Sequence, residues 1–201
     1  MQVNNIANGR NVRHELRTQA SILGGFVAVM WVVELLDWLL WHGTLDRLGI
    51  RPRTLIGLRG ILFAPFLHRG FGHLLANTVP FVVLGWLVML RRTANFWVVV
   101  AITAVVSGLG TWLTGSARSV HVGASGLIFG FFGFLLLHGY FERRLPSIIL
   151  SAIVLLFYGG LLWGALPQGM GISWQGHLFG FVGGGVAAYL LAERETADTT
   201  I

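Results

Sequence analysis

Six apolar stretches separated by short polar turns are the feature that most constrains how this chain folds. A helix needs about 20 residues, at roughly 1.5 Å each, to cross about 30 Å of hydrocarbon. The predicted spans are residues 21–41, 73–90, 95–113, 125–140, 147–165 and 174–192. We therefore predict an all-α membrane protein with a six-helix transmembrane bundle over residues 21–192, preceded by segment 1–20 and followed by a polar C-terminal tail, 193–201.

The composition agrees with a membrane location. Only 11% of the 201 residues are charged and 55% are hydrophobic, whereas a soluble domain carries about 25% charged residues. The absence of cysteine excludes disulfides, thiolate catalysis and cysteine metal sites. All 14 basic residues are arginine and they flank the apolar stretches. We therefore expect contact with membrane lipid headgroups and no binding of nucleic acid.

The arginines also predict an orientation. With six spans, both termini lie on the same side as the Arg91–Arg92 and Arg143–Arg144 turns, which the positive-inside rule places in the cytoplasm. The long connection 43–72 opposes this orientation, because it carries five arginines to the outer side. Its apolar run 61–67 predicts a segment that lies partly in the membrane interface.

Three polar clusters interrupt the apolar stretches. They are His68, His73 and Asn77, then Gly123–Gly126, then His177. Each lies at or near the start of the second, fourth or sixth predicted span. Because alternate spans begin at the same membrane face, we expect the three clusters to converge inside the outer leaflet. Unpaired polar groups are costly there and are usually functional.

Ser125 and His177 suit nucleophilic catalysis. Gly123 and Gly126 flank the serine and permit a tight turn and close backbone approach, and the helix start leaves N–H donors beside the hydroxyl. An imidazole can take the proton of a serine hydroxyl near neutral pH, and no acidic residue lies close in sequence to either residue, so we predict a Ser–His dyad. The alternatives are helix packing by small residues and a histidine that is hydrogen-bonded to a neighbouring helix.

His73 and Asn77 lie four residues apart and share one helix face. Two neutral donors there can stabilise a developing oxyanion without burying a charge, although they could instead tie the second span to its neighbours. His68 precedes His73 by five positions, so the two do not share a face. This spacing argues against a helical metal site, and we predict no metal and no cofactor. We expect His68 to brace the loop.

Two further patterns have alternative interpretations. Gly176, Gly180 and Gly184 recur every four residues beside His177, which brings a neighbouring backbone close, either to position the base or for packing alone. Glu34 and Asp37 are ionisable residues within the first span, where such groups are functional candidates. We favour a structural role for them, because neither lies near the predicted depth of the clusters.

These motifs, in this order, resemble those of rhomboid intramembrane serine proteases over about residues 20–192. The matching elements are His68-x4-His73-x3-Asn77, Gly123-Ala124-Ser125-Gly126 and Gly176-His177-x2-Gly180-x3-Gly184.

The resemblance implies that Ser125 is the nucleophile and His177 the general base, with His73, Asn77 and Ser125 in the oxyanion hole. It implies a substrate with a single transmembrane span, which enters near the second and fifth helices. The chain resembles the minimal prokaryotic form, which implies the plasma membrane and an active site toward the outer face.

The chain departs from the family pattern at three points. Gly176 precedes the histidine where alanine is common, and Phe129 follows the serine by four positions where some members have tyrosine. A tryptophan–arginine signature of the first loop is not evident.

Two other functions are compatible with parts of the pattern. One is a catalytically silent rhomboid-like protein that binds membrane proteins without cutting them. The other is a transporter or proton relay that uses the histidines; the absence of an inverted repeat argues against it.

Overall fold

The computed structural model describes residues 2–90, 92–167 and 173–197. These residues form a helical bundle in which short helices fill the connections. The α-helices are α1 (Gln2–Leu36), α2 (Gly60–Phe63), α3 (Phe71–Met89), α4 (Thr93–Thr114), α5 (Ser125–Glu142), α6 (Leu145–Tyr158), α7 (Leu161–Gly164) and α8 (Trp174–Ala197). Because the described residues contain no named strand, the predicted all-helical class is confirmed.

The first helix begins much earlier than the predicted span at residue 21. Helix α1 starts at Gln2 and is followed by a π-helical turn, Asp37–Trp41. The predicted boundary marks where hydropathy rises, and no helix-breaking proline precedes it to end the helix there. The division of the chain into segment 1–20, membrane domain 21–192 and tail 193–201 stays a prediction. Residues 1 and 198–201 lie outside the described residues.

The long connection after α1 folds as a series of short helical turns. The 3₁₀ segments are Thr44–Leu48, Leu55–Arg59 and Ala64–Phe66, with α2 between the last two. Apolar side chains of this connection face outward, including Leu55, which is 86% exposed, and Leu62, which is 68% exposed. Exposed apolar side chains beside arginines are typical of a segment at a membrane interface.

Helix α5 is the centre of the bundle. It packs most extensively against α8, and α3, α4 and α6 also contact it. Phe131 and Phe132 are fully buried, and Phe131 meets Phe81 of α3 and Phe96 of α4 at ring-centroid distances of 5.4 Å each. A helix that is apolar all round is expected in such a central position. Its N-terminus, which carries Ser125, is therefore held from several sides.

Small residues allow α5 and α8 to approach closely. A Cβ atom added at Gly180 would lie 3.1 Å from the Gly126 carbonyl carbon, and one added at Gly184 would lie 2.8 Å from the Gly130 carbonyl carbon. Both distances are shorter than ordinary van der Waals contact, so the backbones meet directly. This packing is typical of helices in membranes.

The fifth predicted span, 147–165, is divided in the structure. Helix α6 ends at Tyr158, and after Gly159 and Gly160 the chain resumes as the single turn α7. Glycine has low helix propensity, which accounts for a break at this pair. Both glycines keep right-handed helical backbone angles, so the chain continues in the same direction. A single membrane span over 147–165 stays a prediction.

Four helical segments of the described residues are long and apolar enough to cross a membrane. They are Val12–Trp41, Phe71–Met89, Thr93–Thr114 and Ser125–Glu142, whereas Leu145–Tyr158 is a shorter apolar helix. The protein is thus a membrane protein with a helical bundle. The total of six spans stays a prediction.

Glu34 and Asp37 are both buried, at 5% and 4% exposure. The Asp37 carboxylate accepts a hydrogen bond from the Leu45 N–H at 3.1 Å. Asp37 thereby joins the end of α1 to the first turn of the long connection, which is the kind of structural role that we favoured from the sequence.

Candidate active site

A cavity of about 570 Å³ lies among α3, α5, α7 and α8. The four side chains expected at a catalytic centre, His73, Asn77, Ser125 and His177, all line it. Apolar groups such as Ile128 form other parts of the wall. The structure thus brings the three separate polar clusters of the sequence into one cavity, with His68 directly behind it.

The loop that precedes Ser125 is held in place by two backbone donors. The Gly123 N–H donates to the Ala64 carbonyl at 2.8 Å, and the Ala124 N–H donates to His68 Nε2 at 3.4 Å. His68 is only 2% exposed, and burial, together with the neighbouring His73, lowers its pKa to about 4. His68 is therefore neutral near pH 7 and can accept the bond, which is the bracing position predicted for it.

Gly123 is required by its conformation and by its surroundings. Its φ is +113°, a value that favours glycine. An added Cβ would lie 2.8 Å from His73 Cε1, 3.0 Å from His73 Nε2 and 3.8 Å from Ser125 Oγ. Because Gly123 has no side chain, the His73 ring and the Ser125 hydroxyl can both lie close to its Cα.

The start of α5 supplies a further donor. The first N–H groups of a helix have no partner within it. Since Gly123 and Ala124 already use their N–H groups on the loop side, the Ser125 N–H is the first that the helix start can offer to the cavity. A helix N-terminus also favours a negative charge.

The tautomer of His177 follows from one hydrogen bond. His177 Nδ1 lies 2.8 Å from the Gly164 carbonyl oxygen. Because a carbonyl can only accept, Nδ1 carries the hydrogen and Nε2 is left as an acceptor. Phe129 stacks on the same imidazole, with ring centroids 4.1 Å apart and an angle of 5°. These two contacts fix the orientation of the ring and the tautomer of its neutral form.

His73 has the opposite tautomer. Its Nδ1 accepts a hydrogen bond from the Arg69 N–H at 3.3 Å. A neutral His73 therefore carries its hydrogen on Nε2, the nitrogen near Gly123, and can donate it to a ligand there. The Asn77 amide donates one hydrogen to the His73 carbonyl at 2.8 Å, and its second N–H hydrogen remains for another acceptor.

Ser125 and His177 line the same cavity, but no direct hydrogen bond joins them in the described part of the chain. Catalytic hydrogen bonds are often long or poorly aligned in proteins without substrate and shorten in the complex.

Three groups at this site were not recognised from the sequence. They are the Gly164 carbonyl, Arg69 and His121, and all three residues line the cavity. A backbone carbonyl leaves no mark on residue type. The glycines at 159, 160 and 164 were the available sequence signal for a close approach of this segment. A Cβ at Gly164 would lie only 2.9 Å from Phe129 Cζ.

Within the described ranges, no three His, Cys, Asp or Glu side chains lie together in a group that could bind a metal ion. The chemistry that this arrangement can perform is proton transfer and stabilisation of an oxyanion by neutral donors.

Comparisons with known proteins identify the family. The Rhomboid domain matches residues 57–194. An uncharacterized protein of Mycobacterium tuberculosis is 49% identical over 178 residues, which cover 85% of this chain and 74% of that protein. An uncharacterized protein of Mycobacterium leprae is 46% identical over 181 residues, with 85% and 71% covered.

A Bacillus subtilis protein named "Putative rhomboid protease YdcA" is 31% identical over 174 residues, covering 84% of this chain and 85% of that protein. The domain match extends over the whole of α3 to α7, and it includes Ser125 and His177. The resemblance inferred from the motifs is thus confirmed at the level of the family. The chain belongs to the rhomboid family.

Proposed function

We propose that this protein is an intramembrane serine endopeptidase that cleaves membrane proteins with a single transmembrane span, within or near that span. The observation that carries the proposal is the Nδ1–H bond of His177 to the Gly164 carbonyl, 2.8 Å, in a cavity shared with Ser125. It leaves Nε2 free to accept a proton.

The reaction begins when Ser125 Oγ attacks the scissile carbonyl carbon and its proton moves to His177 Nε2. The carbonyl oxygen becomes an oxyanion, which accepts hydrogen bonds from His73 Nε2–H, the Asn77 amide and the Ser125 N–H. The carbon–nitrogen bond then breaks as His177 returns the proton to the leaving amine. A water molecule, deprotonated by His177, hydrolyses the acyl-enzyme and regenerates the Ser125 hydroxyl.

The cavity walls support a peptide substrate. Polar groups supply the chemistry on one side, while Pro80, Ile128 and Leu161 offer apolar contacts on another. Lateral entry between α3 and α6 agrees with exposed apolar residues on α6, such as Leu156 at 78% and Phe157 at 75%. We place the site toward the outer face of a prokaryotic plasma membrane, with both termini in the cytoplasm and lipid as the surrounding partner.

The test is cleavage of a single-span substrate in liposomes. We expect the wild-type protein to cut it and Ser125→Ala to leave it uncut while unfolding at the same temperature. Ser119 lines the same cavity, so Ser119→Ala is the matched control and should retain cleavage. Equal cleavage by wild type and Ser125→Ala would refute the proposal.

The same experiment separates the two alternatives. A silent binding protein would retain the substrate in a pull-down without cutting it in any variant. A proton relay would give proton flux into liposomes that depends on His73 or His177 and is indifferent to Ser125→Ala.

A further inference from the structure

His121 is a half-buried histidine that the proposed reaction does not use. It lies in the loop between α4 and α5, four residues before Ser125. Its backbone forms both hydrogen bonds of a bridge with Ile50: the Ile50 N–H donates to the His121 carbonyl and the His121 N–H to the Ile50 carbonyl, each at 2.9 Å. The long connection before α3 therefore holds the backbone of this residue.

The imidazole of His121 contacts a hydroxyl on each side. Nδ1 lies 2.6 Å from Ser173 Oγ, and Nε2 lies 2.7 Å from Ser119 Oγ. Burial, together with the positive charge of Arg69, lowers the pKa of His121 to about 4. The Ser119 hydroxyl donates its hydrogen to the Ser116 carbonyl at 2.7 Å, so it can only accept from His121 Nε2–H. The neutral ring therefore accepts through Nδ1, from the Ser173 hydroxyl.

Ser173 connects this ring to the helix that carries the base. It immediately precedes α8, and its carbonyl accepts the His177 N–H at 3.1 Å in the first turn. The His121 side chain thus links the loop that leads to Ser125 with the residue that begins the helix of His177. Ser125 is four residues from His121, and His177 is four residues from Ser173.

The packing of α5 against α8 reaches the first turns of both helices, where a Cβ added at Gly126 would lie 3.6 Å from the Gly176 carbonyl oxygen. No direct hydrogen bond between Ser125 and His177 fixes their separation in the described part of the chain. Gly126 and Gly176 provide only van der Waals contact there, and the His121–Ser173 hydrogen bond adds a directional connection between the segments that precede α5 and α8.

We propose that His121 is a positioning residue, which sets the distance between the serine and histidine of the dyad through its hydrogen bond to Ser173. This inference rests on the proposed proteolytic function. Losing a hydrogen bond between neutral groups corresponds to a factor of about 3 to 10 in an equilibrium or rate. We expect an effect of that size on kcat, because the dyad performs the chemical step. The change in KM should be smaller, because the other lining residues of the cavity stay in place.

The experiment compares four variants of the full chain in liposomes. His121→Phe keeps a ring of similar volume but removes both hydrogen bonds, and Ser173→Ala removes only the bond toward α8. Each should lower kcat about 3- to 10-fold, and the double variant should be no slower than the slower single variant, because the same link is lost. Ser116→Ala is the matched control: it removes an exposed hydroxyl from the same loop, outside the cavity lining, and should leave kcat within about twofold.

Two further measurements distinguish positioning from a general loss of structure. The unfolding temperatures of Ser173→Ala and Ser116→Ala should agree, while hydrogen exchange at the His177 amide should be faster in Ser173→Ala and His121→Phe. Unchanged kcat in both of these variants, or multiplied losses in the double variant, would overturn the inference while the protease assignment stands. A wild-type protein whose cleavage does not depend on Ser125 would overturn the proposed function instead.

Discussion

Gly184 offers the sharpest test of the packing that brings α8 to α5. A Cβ at this position would overlap the Gly130 carbonyl oxygen and would lie 2.7 Å from the Phe134 backbone nitrogen. These neighbours are backbone atoms of the central helix, so no side-chain rotation can make room. Gly184→Ala therefore has to push α8 and α5 apart along the same interface that positions His177.

The expected cost follows from two opposing effects. Overpacking of a tight core costs about 1–3 kcal/mol, and a clash with backbone belongs at the upper end of that range. The better helix propensity of alanine returns up to about 1 kcal/mol. We therefore predict that Gly184→Ala lowers the free energy of unfolding by about 2 kcal/mol, which corresponds to a Tm lower by about 4–8 °C.

The assay is thermal unfolding in detergent micelles, followed by circular dichroism. Gly185→Ala is the matched control on the same helix, because its Cβ would meet only the end of the flexible Leu137 side chain, Cδ1, at 2.8 Å. We expect its Tm to equal or exceed that of the wild type. If Gly184→Ala and Gly185→Ala unfold at the same temperature, the reasoning about backbone contact is refuted.

Three other predictions concern the supports of the site. Lowering the pH from 6.5 to 4 should destabilise the protein, because folding lowers the pKa of His68 from 6.5 to about 4 and the folded state binds fewer protons than the unfolded state. The expected loss in the free energy of unfolding is about 3 kcal/mol. His68→Gln should flatten this part of a stability–pH curve measured by denaturant titration. Phe129→Ala should lower kcat about 3- to 10-fold by removing the ring stacked on His177, whereas Phe129→Tyr should retain activity in a substrate-cleavage assay. Asp37→Ala should lower the free energy of unfolding by about 1–3 kcal/mol, because it leaves the Leu45 N–H without its acceptor, whereas Asp37→Asn, which keeps an acceptor oxygen, should lower it less in the same unfolding measurement.

The sequence allowed the residues of the candidate site to be predicted because their spacing is local. His73 and Asn77 are related by one helical turn, and Ser125 lies where glycines mark a change from loop to helix. The convergence of the clusters required only alternating spans. These are properties of short segments, which the order of residues expresses directly.

The details that orient the side chains could not be predicted in the same way. The tautomer of His177 depends on the carbonyl of Gly164, and that of His73 depends on the N–H of Arg69. Every residue has these backbone groups, so residue type does not show which of them faces a ring. His121 was missed for a related reason: its partner Ser173 is 52 positions away.

The differences between the predicted spans and the helices have a similar origin. Hydropathy marks where a helix enters the membrane, which is why it placed the first span at 21 although α1 begins at Gln2. It also does not mark the boundary between α6 and α7, because the glycines between them are not polar.

The central claim is that Ser125 is a nucleophile activated by His177. The most direct measurement is mass spectrometry of the membrane-embedded protein after treatment with a serine-directed phosphonate. We predict one adduct, on Ser125, whose rate of formation falls at least about 100-fold in His177→Ala, since general-base catalysis contributes about 10²–10⁴-fold. An adduct on another residue, or equal labelling of Ser125 in wild type and His177→Ala, would contradict the account.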